Sequence, residues 1–282
     1  DAPVVIEGLG AHLTEDGEAA GELGWLRRHA GNKKVAVSVN HAHQSSQLRA
    51  RDHTIMTVGE LLDCVDAGEA EGRYLYDCSL PLKLPSLLEA VRVPRFFAHD
   101  LLQGTRKLHA FSRSWPSLFV AAPGTQSSLH VDQWSGHFWM AMIRDVKRWT
   151  LFHRHDLGLL GPDWQRQTLD PALPPLDALD GDEGLAFPLA RLARRWEADL
   201  GPGEVLFVPG GAPHHVKNLG ATVGFAGNFV DEANLERALR DLELMGRRRG
   251  GAMMDSFRAV DEVDFEGMDA LEPLPSHERG MP

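Results

Sequence analysis

Between Ser117 and Phe152 the chain alternates apolar runs with short polar breaks: SLFVAA, then HFWMAMIR, then KRWTLF. Runs of this length, rich in β-branched and aromatic residues, favour extended backbone, so strands are expected over 117–122, 137–144 and 147–152. Upstream, Ala2 to Gly8 reads as a β-branched strand ended by glycine. Lys34 to Val39 alternates in the period of a half-buried strand, and Arg73 to Cys78 reads as another. Downstream strands are expected over Glu204–Val208 and Ala221–Phe229. Helical patterning occupies the flanks. Residues 17–30 fit a helix with Trp25 and Leu26 turned inward, and Pro85–Val91 a short one burying Leu87 and Leu88. Thr57-Val58-Gly59-Glu60 has the capping-box form, and the helix it opens stops at Gly68. From Asp231, Leu235, Ala238, Leu239 and Leu242 follow helical spacing until Gly246. Pro94 to Phe97 is aromatic packing at a turn, and Pro123-Gly124 is a turn. Residues 155–187, rich in Pro, Asp and Gly, read as a long surface excursion. Leu189 to Asp199 fits either a helix or a charged strand edge. Helices, then many short strands, then a helical tail, with no internal repeat or linker, suggest one mainly β barrel with helical decoration.

Composition narrows the partners. The 282 residues carry 29 Lys+Arg against 40 Asp+Glu, a net charge of −11, so binding to a phosphate backbone is not expected. Arg247-Arg248-Arg249 is the one basic run, read as a solvated helix end. A basic protein or peptide suits the acidic balance better. Cys64 and Cys78 make no disulfide framework and fit a reducing compartment. No apolar run reaches the roughly 18 residues that a spanning helix needs. The chain starts at Asp1 without Met, which leaves targeting open; cytoplasm or nucleus is the expected location.

Two stretches hold the candidate chemistry. In SSLHVDQW, His130 and Asp132 are two residues apart, and on a strand such residues project to the same side. In GEVLFVPGGAPHHV, His214 sits beside His215. Two His and one carboxylate on one face of a metal leave the opposite positions open, the ligand set of non-haem Fe(II) oxygenases. Lys147, downstream of Asp132, is a cation suited to an anionic co-substrate. Other histidines read as structural. His41-Ala42-His43 lacks an accompanying carboxylate and fits a polar loop, while His153 and His155 fit a strand end near solvent. Trp134, His137, Phe138, Trp139 and Trp149 read as packing, with Trp134 and His137 near the mouth as candidate substrate contacts.

At LHVD, DVKRWTLF and GEVLFVPGGAPHHVKNL followed by GNF, the chain resembles the jumonji-C (JmjC) 2-oxoglutarate oxygenases. The likeness is greatest to the branch of the lysyl-5-hydroxylase formerly called the phosphatidylserine receptor. Looser similarity through PVVIEG, RYLYDCSL and VPRFFAHDLL extends it over residues 2 to 245. The resemblance implies a double-stranded β-helix of the cupin, jelly-roll type, with C-terminal helices. It makes 1–245 a JmjC/cupin-like oxygenase domain with N-terminal helical decoration, and 246–282 a peripheral or partly disordered tail. It implies Fe(II) held by His130, Asp132 and His214, with O2 and 2-oxoglutarate as co-substrates. Lys147 and Ser127 would meet the far carboxylate of 2-oxoglutarate, and Asn228 matches a polar site residue. The implied activity is dioxygenase hydroxylation of a protein side chain, Lys or Arg, yielding succinate and CO2. The alternatives are N-methyl demethylation of histone or other protein, an RNA or small-molecule hydroxylase, and a catalytically weakened binding or scaffold protein. Met140 stands where close relatives have Asn, Ala226 where Thr is common, and Pro213 replaces an aromatic; the first two changes remove hydrogen-bond partners. The C-terminal helix is a candidate homodimer surface.

Overall fold

The structure is a computed structural model that describes residues 2–13, 23–38, 53–101, 114–164, 171–180 and 186–249. His41 and His43 lie outside the described residues, as does the tail from 250. The strands are β1 (Val4–Ile6), β2 (Lys34–Ser38), β3 (His53–Thr57), β4 (Tyr74–Ser79), β5 (Ser117–Ala121) and β6 (Gln126–His130). They continue with β7 (His137–Arg144), β8 (Lys147–Phe152), β9 (Arg195–Leu200), β10 (Val205–Val208), β11 (His214–Asn218) and β12 (Thr222–Phe229). The helices are α1 (Gly24–Ala30), α2 (Val58–Asp66), α3 (Leu80–Lys83), α4 (Pro85–Leu88), α5 (Leu176–Asp180) and α6 (Leu235–Arg249).

An eight-stranded sheet, in the order β1-β10-β7-β12-β5-β4-β2-β3, faces a four-stranded one, β6-β11-β8-β9. The pairings between these strands are antiparallel. This is the jelly-roll architecture that the family resemblance implied, and it includes the strands that the patterning predicts. The near-continuous hydrophobicity of β7 has a simple origin, because both its faces are covered. Trp139, Ala141 and Ile143 pack with the helical layer, while Phe138, Met140 and Met142 point between the sheets. On β5, Leu118 and Val120 turn outward to the helices, and Phe119 and Ala121 inward. Burying each large side chain stabilises the fold by about 1.5–3 kcal/mol.

One strand breaks this alternation. Along β4, Tyr74 and Tyr76 face the interior and Leu75 faces the helices, yet Cys78 faces the helices too. Leu75 pairs with Val120 and Cys78 with Leu118, so three steps on β4 oppose two on β5. That is a β-bulge, and Asp77 sits in it with a left-handed φ of 48°.

The helical layer follows the capping signals. Thr57 Oγ1 accepts the Glu60 N–H at 3.1 Å, and Glu60 Oε2 accepts the Thr57 N–H at 2.7 Å. Gly68 then takes φ 74° just past the helix end. Arg27 of α1 bonds Asp63 and Asp66 of α2 at 2.6 and 2.7 Å.

Three expectations change. The helix over 85–91 is shorter, α4 alone, with a separate turn α3 before it. Leu84, which precedes Pro85, adopts φ −131° and ψ 52°, outside the helical region that a residue before proline avoids. Of the two readings of 189–199, the charged strand edge is the one found: a 3-10 turn leads into the edge strand β9, whose Arg195, Glu197 and Asp199 face outward. Charges there discourage edge-to-edge pairing. The described parts of 155–187 are more than a surface excursion, because Leu160 and Leu179 pack on Leu129 and Phe152 of the small sheet. Helix α6 continues past Gly246 to Arg249, and it buries Ala238 and Leu242 against the body. Among the described residues no helix is long and apolar enough to cross a membrane.

Candidate metal centre

The small sheet brings the ligand candidates together. His130 ends β6, His214 begins β11, and the two are register partners with ring centroids 4.2 Å apart. Asp132 lies just past the strand end in extended backbone (φ −69°, ψ 148°), so it returns to the side of His130. Its Oδ1 stands 3.8 Å from His130 Nε2 and 4.0 Å from His214 Nε2. Ligand atoms of all three lie within 4.8 Å of one another, and no other such His/Cys/Asp/Glu group occurs among the described residues.

The surroundings fit a cation. His130 Nδ1 is 2.6 Å from the Ser128 carbonyl, and His214 Nδ1 is 3.0 Å from the Ala212 carbonyl. A carbonyl only accepts, so each Nδ1 carries the proton and each Nε2 lone pair is left facing Asp132. Asn228 Nδ2 donates to Asp132 Oδ2 at 3.0 Å, which leaves Oδ1 for the histidine side. Burial, with Trp149 and Phe138 packed against the ring, and then the neighbouring His130 hold the His214 pKa down to about 4. A neutral imidazole is the form that ligates. His215, next in sequence, turns to the other face of β11, towards Asp177.

Lys147 opens β8 and is fully buried. Its Nζ donates to Tyr74 Oη at 3.3 Å and lies 5.4 and 5.2 Å from the Tyr74 and Phe119 ring centroids. Desolvation alone lowers its pKa to about 7. Among the described residues no carboxylate pairs with it, so the fold holds a buried cation short of its anion. Ser127 is buried close by, beside the hydroxyls of Tyr74 and Tyr76, whose pKa values burial raises. Met140 and Ala226, which replace polar residues of the resembling proteins, are direct register partners on β7 and β12. Their two losses therefore fall at one spot, filled by an apolar cluster with Leu206.

Several supporting residues escape a reading of the sequence. His137 is buried rather than at the mouth; its Nδ1 accepts the Gly210 N–H at 2.8 Å and its Nε2 is 3.5 Å from Asp231. Gly210 passes so close to the turn after Asp132 that a Cβ there would lie 2.0 Å from the Ser135 carbonyl oxygen. Trp134 and Ser135 in that turn have φ 55° and 51°. Helix α6 grips the turn from outside, as Ser135 Oγ donates to Asp241 at 2.7 Å and Asn234 Nδ2 to the Ser135 carbonyl at 2.9 Å. His153 is buried, not solvent-facing, with its Nδ1 accepting the His155 N–H at 3.2 Å. The tyrosines of β4 read as ordinary strand residues until the register turns them inward.

Two cavities meet at this centre. One, of about 240 Å³, is lined by His130, Asp132 and Asn228 together with Asp77 and aromatic rings. The other, of about 370 Å³, shares Asp132, Trp134 and Pro171 with it and is walled further by Arg154 and Arg237.

Comparison with known proteins identifies the family. The model of the family described as "Cupin-like domain" matches residues 1–233. An arginine-specific demethylase of Arabidopsis thaliana, JMJ22, is 29% identical over 191 residues, 63% of this chain and 34% of that protein. The bifunctional arginine demethylase and lysyl-hydroxylase psr-1 of Caenorhabditis briggsae is 28% identical over 175 residues, 57% of the chain and 41% of the relative. The 2-oxoglutarate and iron-dependent oxygenase JMJD4 of Danio rerio is 26% identical over 119 residues, 42% of the chain and 27% of the relative. The chain thus spans less than half the length of each of these relatives.

Proposed function

Starting from the membership of this chain in the cupin-like domain family, we propose that it is an Fe(II)- and 2-oxoglutarate-dependent oxygenase that hydroxylates a protein side chain, Lys or Arg. The observation that carries this reading is the meeting of His130, Asp132 and His214 at one end of the small sheet, together with a buried Lys147 that has no carboxylate partner among the described residues. Neither feature alone requires the other, and together they suit a metal and a dicarboxylate. With Fe(II), 2-oxoglutarate and O2 bound, such a site supplies the oxidising power to insert oxygen into a C–H bond, releasing succinate and CO2.

The chain's own contributions follow from its geometry. Backbone carbonyls engage the Nδ1–H of His130 and of His214, which orients each Nε2 towards the place a metal would occupy. Asn228 fixes the rotation of the Asp132 carboxylate. Lys147 would hold the far carboxylate of the co-substrate, with Ser127 and Tyr74 adding hydroxyls. Apolar walls from Phe119, Phe138 and Trp149 keep water from competing for that carboxylate. Residues 1–245 would act as one catalytic domain, with the remainder as a peripheral tail. The two free cysteines suit the cytoplasm or nucleus.

A second reading, N-methyl demethylation, is favoured by the printed activities of two relatives. It uses the same site, with the hydroxylated methyl group leaving as formaldehyde. Mass spectrometry of the product separates the two: one oxygen gained, or one methyl group replaced by hydrogen.

The test is succinate formation from 2-oxoglutarate with Fe(II) and O2 but no protein substrate, for wild type, His130→Ala and Lys147→Ala. Turnover in wild type that is lost in both variants supports the reading. A wild type that neither turns over nor binds 2-oxoglutarate when metal-loaded overturns it, and the scaffold alternative that Met140 and Ala226 suggest then takes its place.

A further inference from the structure

The bulge in β4 supplies none of the three candidate metal ligands. Its effect is to turn Asp77. Regular alternation would send residue 77 to the helical layer with Leu75; the extra residue instead brings Asp77 to the cavity beside Tyr76. It does so through a left-handed φ of 48° on a residue that is not glycine. Strained backbone of this kind is kept at sites where a side chain must be aimed.

The cavity that receives Asp77 has a definite chemistry. Its walls include Tyr76, Trp115, Phe119, Trp134 and Phe138, with Trp115 and Trp134 edge to face at 6.4 Å. Among the described residues, no Lys or Arg lines it, whereas Arg154 and Arg237 line the neighbouring cavity. Asp77 is open to the cavity. The protein around it raises its pKa by desolvation and by the Asp132 charge, and Ser117 and Trp115 lower it. A carboxylate inside a box of aromatic faces is short of a cation, and both parts of the box attract one.

We propose that Asp77 and the aromatic walls around it form the subsite that receives the cationic head of the substrate, a guanidinium or ammonium group, and so set its specificity. This rests on the oxygenase reading, since the same 240 Å³ cavity is bounded by His130 and Asp132. A head anchored at Asp77 would place its adjoining carbons or N-methyl groups along the wall that ends at the metal ligands. Asp77 would thereby be a binding residue that touches the substrate, with no part in the redox step.

The experiment measures binding without turnover. Wild-type protein loaded with Mn(II) and 2-oxoglutarate is titrated by calorimetry with Nα-acetyl-arginine amide and with its neutral isostere, Nα-acetyl-citrulline amide. A lysine and norleucine pair is treated in the same way. At least one cationic probe is expected to bind ten times more tightly than its neutral partner, and Asp77→Asn to erase that preference. Asp77→Gly relieves the positive φ, so it should melt no lower than wild type while also losing the preference. Equal binding of charged and neutral probes, no binding of any probe, or a preference that survives both substitutions would overturn the proposal. Failure of the oxygenase reading shows separately, as absent succinate formation by wild type.

Discussion

Replacing Lys147 by Met should stabilise the free protein and abolish its hold on 2-oxoglutarate. Lys147 has a pKa lowered from 10.5 to about 7 by desolvation, without an anion to offset it. The unfolded chain binds this proton up to its ordinary pKa, whereas the folded chain gives it up near pH 7. The sign is therefore fixed: the burden is complete below about pH 7, shrinks as pH rises, and is gone above 10.5. A shift of this size corresponds to a ceiling of about 5 kcal/mol below pH 7, since each pKa unit is worth about 1.4 kcal/mol. The lost bond to Tyr74 and imperfect packing of Met reduce the gain, so an increase of about 1–3 kcal/mol at pH 6 is expected. The assay is thermal or denaturant unfolding of both proteins from pH 6 to 10, with and without 2-oxoglutarate and Mn(II). The gap between variant and wild type should narrow as pH rises, and the ligand should stabilise wild type alone. A variant less stable than wild type at pH 6, or a gap independent of pH, would refute the argument that Lys147 is a buried cation awaiting its partner.

Asn228→Ala frees the Asp132 carboxylate to rotate, and metal affinity measured by Mn(II) titration should fall about 10- to 100-fold with the melting temperature nearly unchanged. Gly210→Ala drives a methyl group into the Ser135 carbonyl; unfolding should show a loss of more than about 2 kcal/mol, and metal titration a weakened site. Met140→Asn and Ala226→Thr should each destabilise by about 1–3 kcal/mol, because each buries a polar group among apolar neighbours. Made together on facing positions they can bond one another, so a double-mutant cycle should show favourable coupling of at least about 0.5 kcal/mol.

What the sequence discloses depends on the range of the interaction. Strands such as β7 and β8 are legible to the residue because one run of side chains meets burial on both faces, and α2 because its capping signals are local. His130 and Asp132 are legible as a pair for the same reason, though Asp132 reaches its place from beyond the strand end. The residues alone leave His214 and His215 open; the family spacing chooses His214, and the alternation of β11 turns it to the side of His130. Asn228 is recognisable as a site residue, but its bond to Asp132 exists only once β12 lies beside the opening of the 3-10 turn. Asp77 is the hardest case. RYLYDC reads as an ordinary strand, and nothing in those six letters announces a bulge. The register with β5 creates it, through contacts between segments some forty residues apart in sequence. For β3 and the described parts of 155–187, weak periodicity is overridden by tertiary packing.

The grip of α6 on the turn after Asp132 has a further consequence. The family match ends at residue 233, but the two bonds that hold Ser135 come from Asn234 and Asp241. The backbone they restrain is unfavourable by itself, with two successive left-handed residues, Trp134 and Ser135, just after Asp132. A protein trimmed to the matched domain would keep His130, Asp132 and His214 and lose the brace on the turn after Asp132. The position of Asp132 thus depends on a helix that lies outside the barrel, through the single turn that joins them.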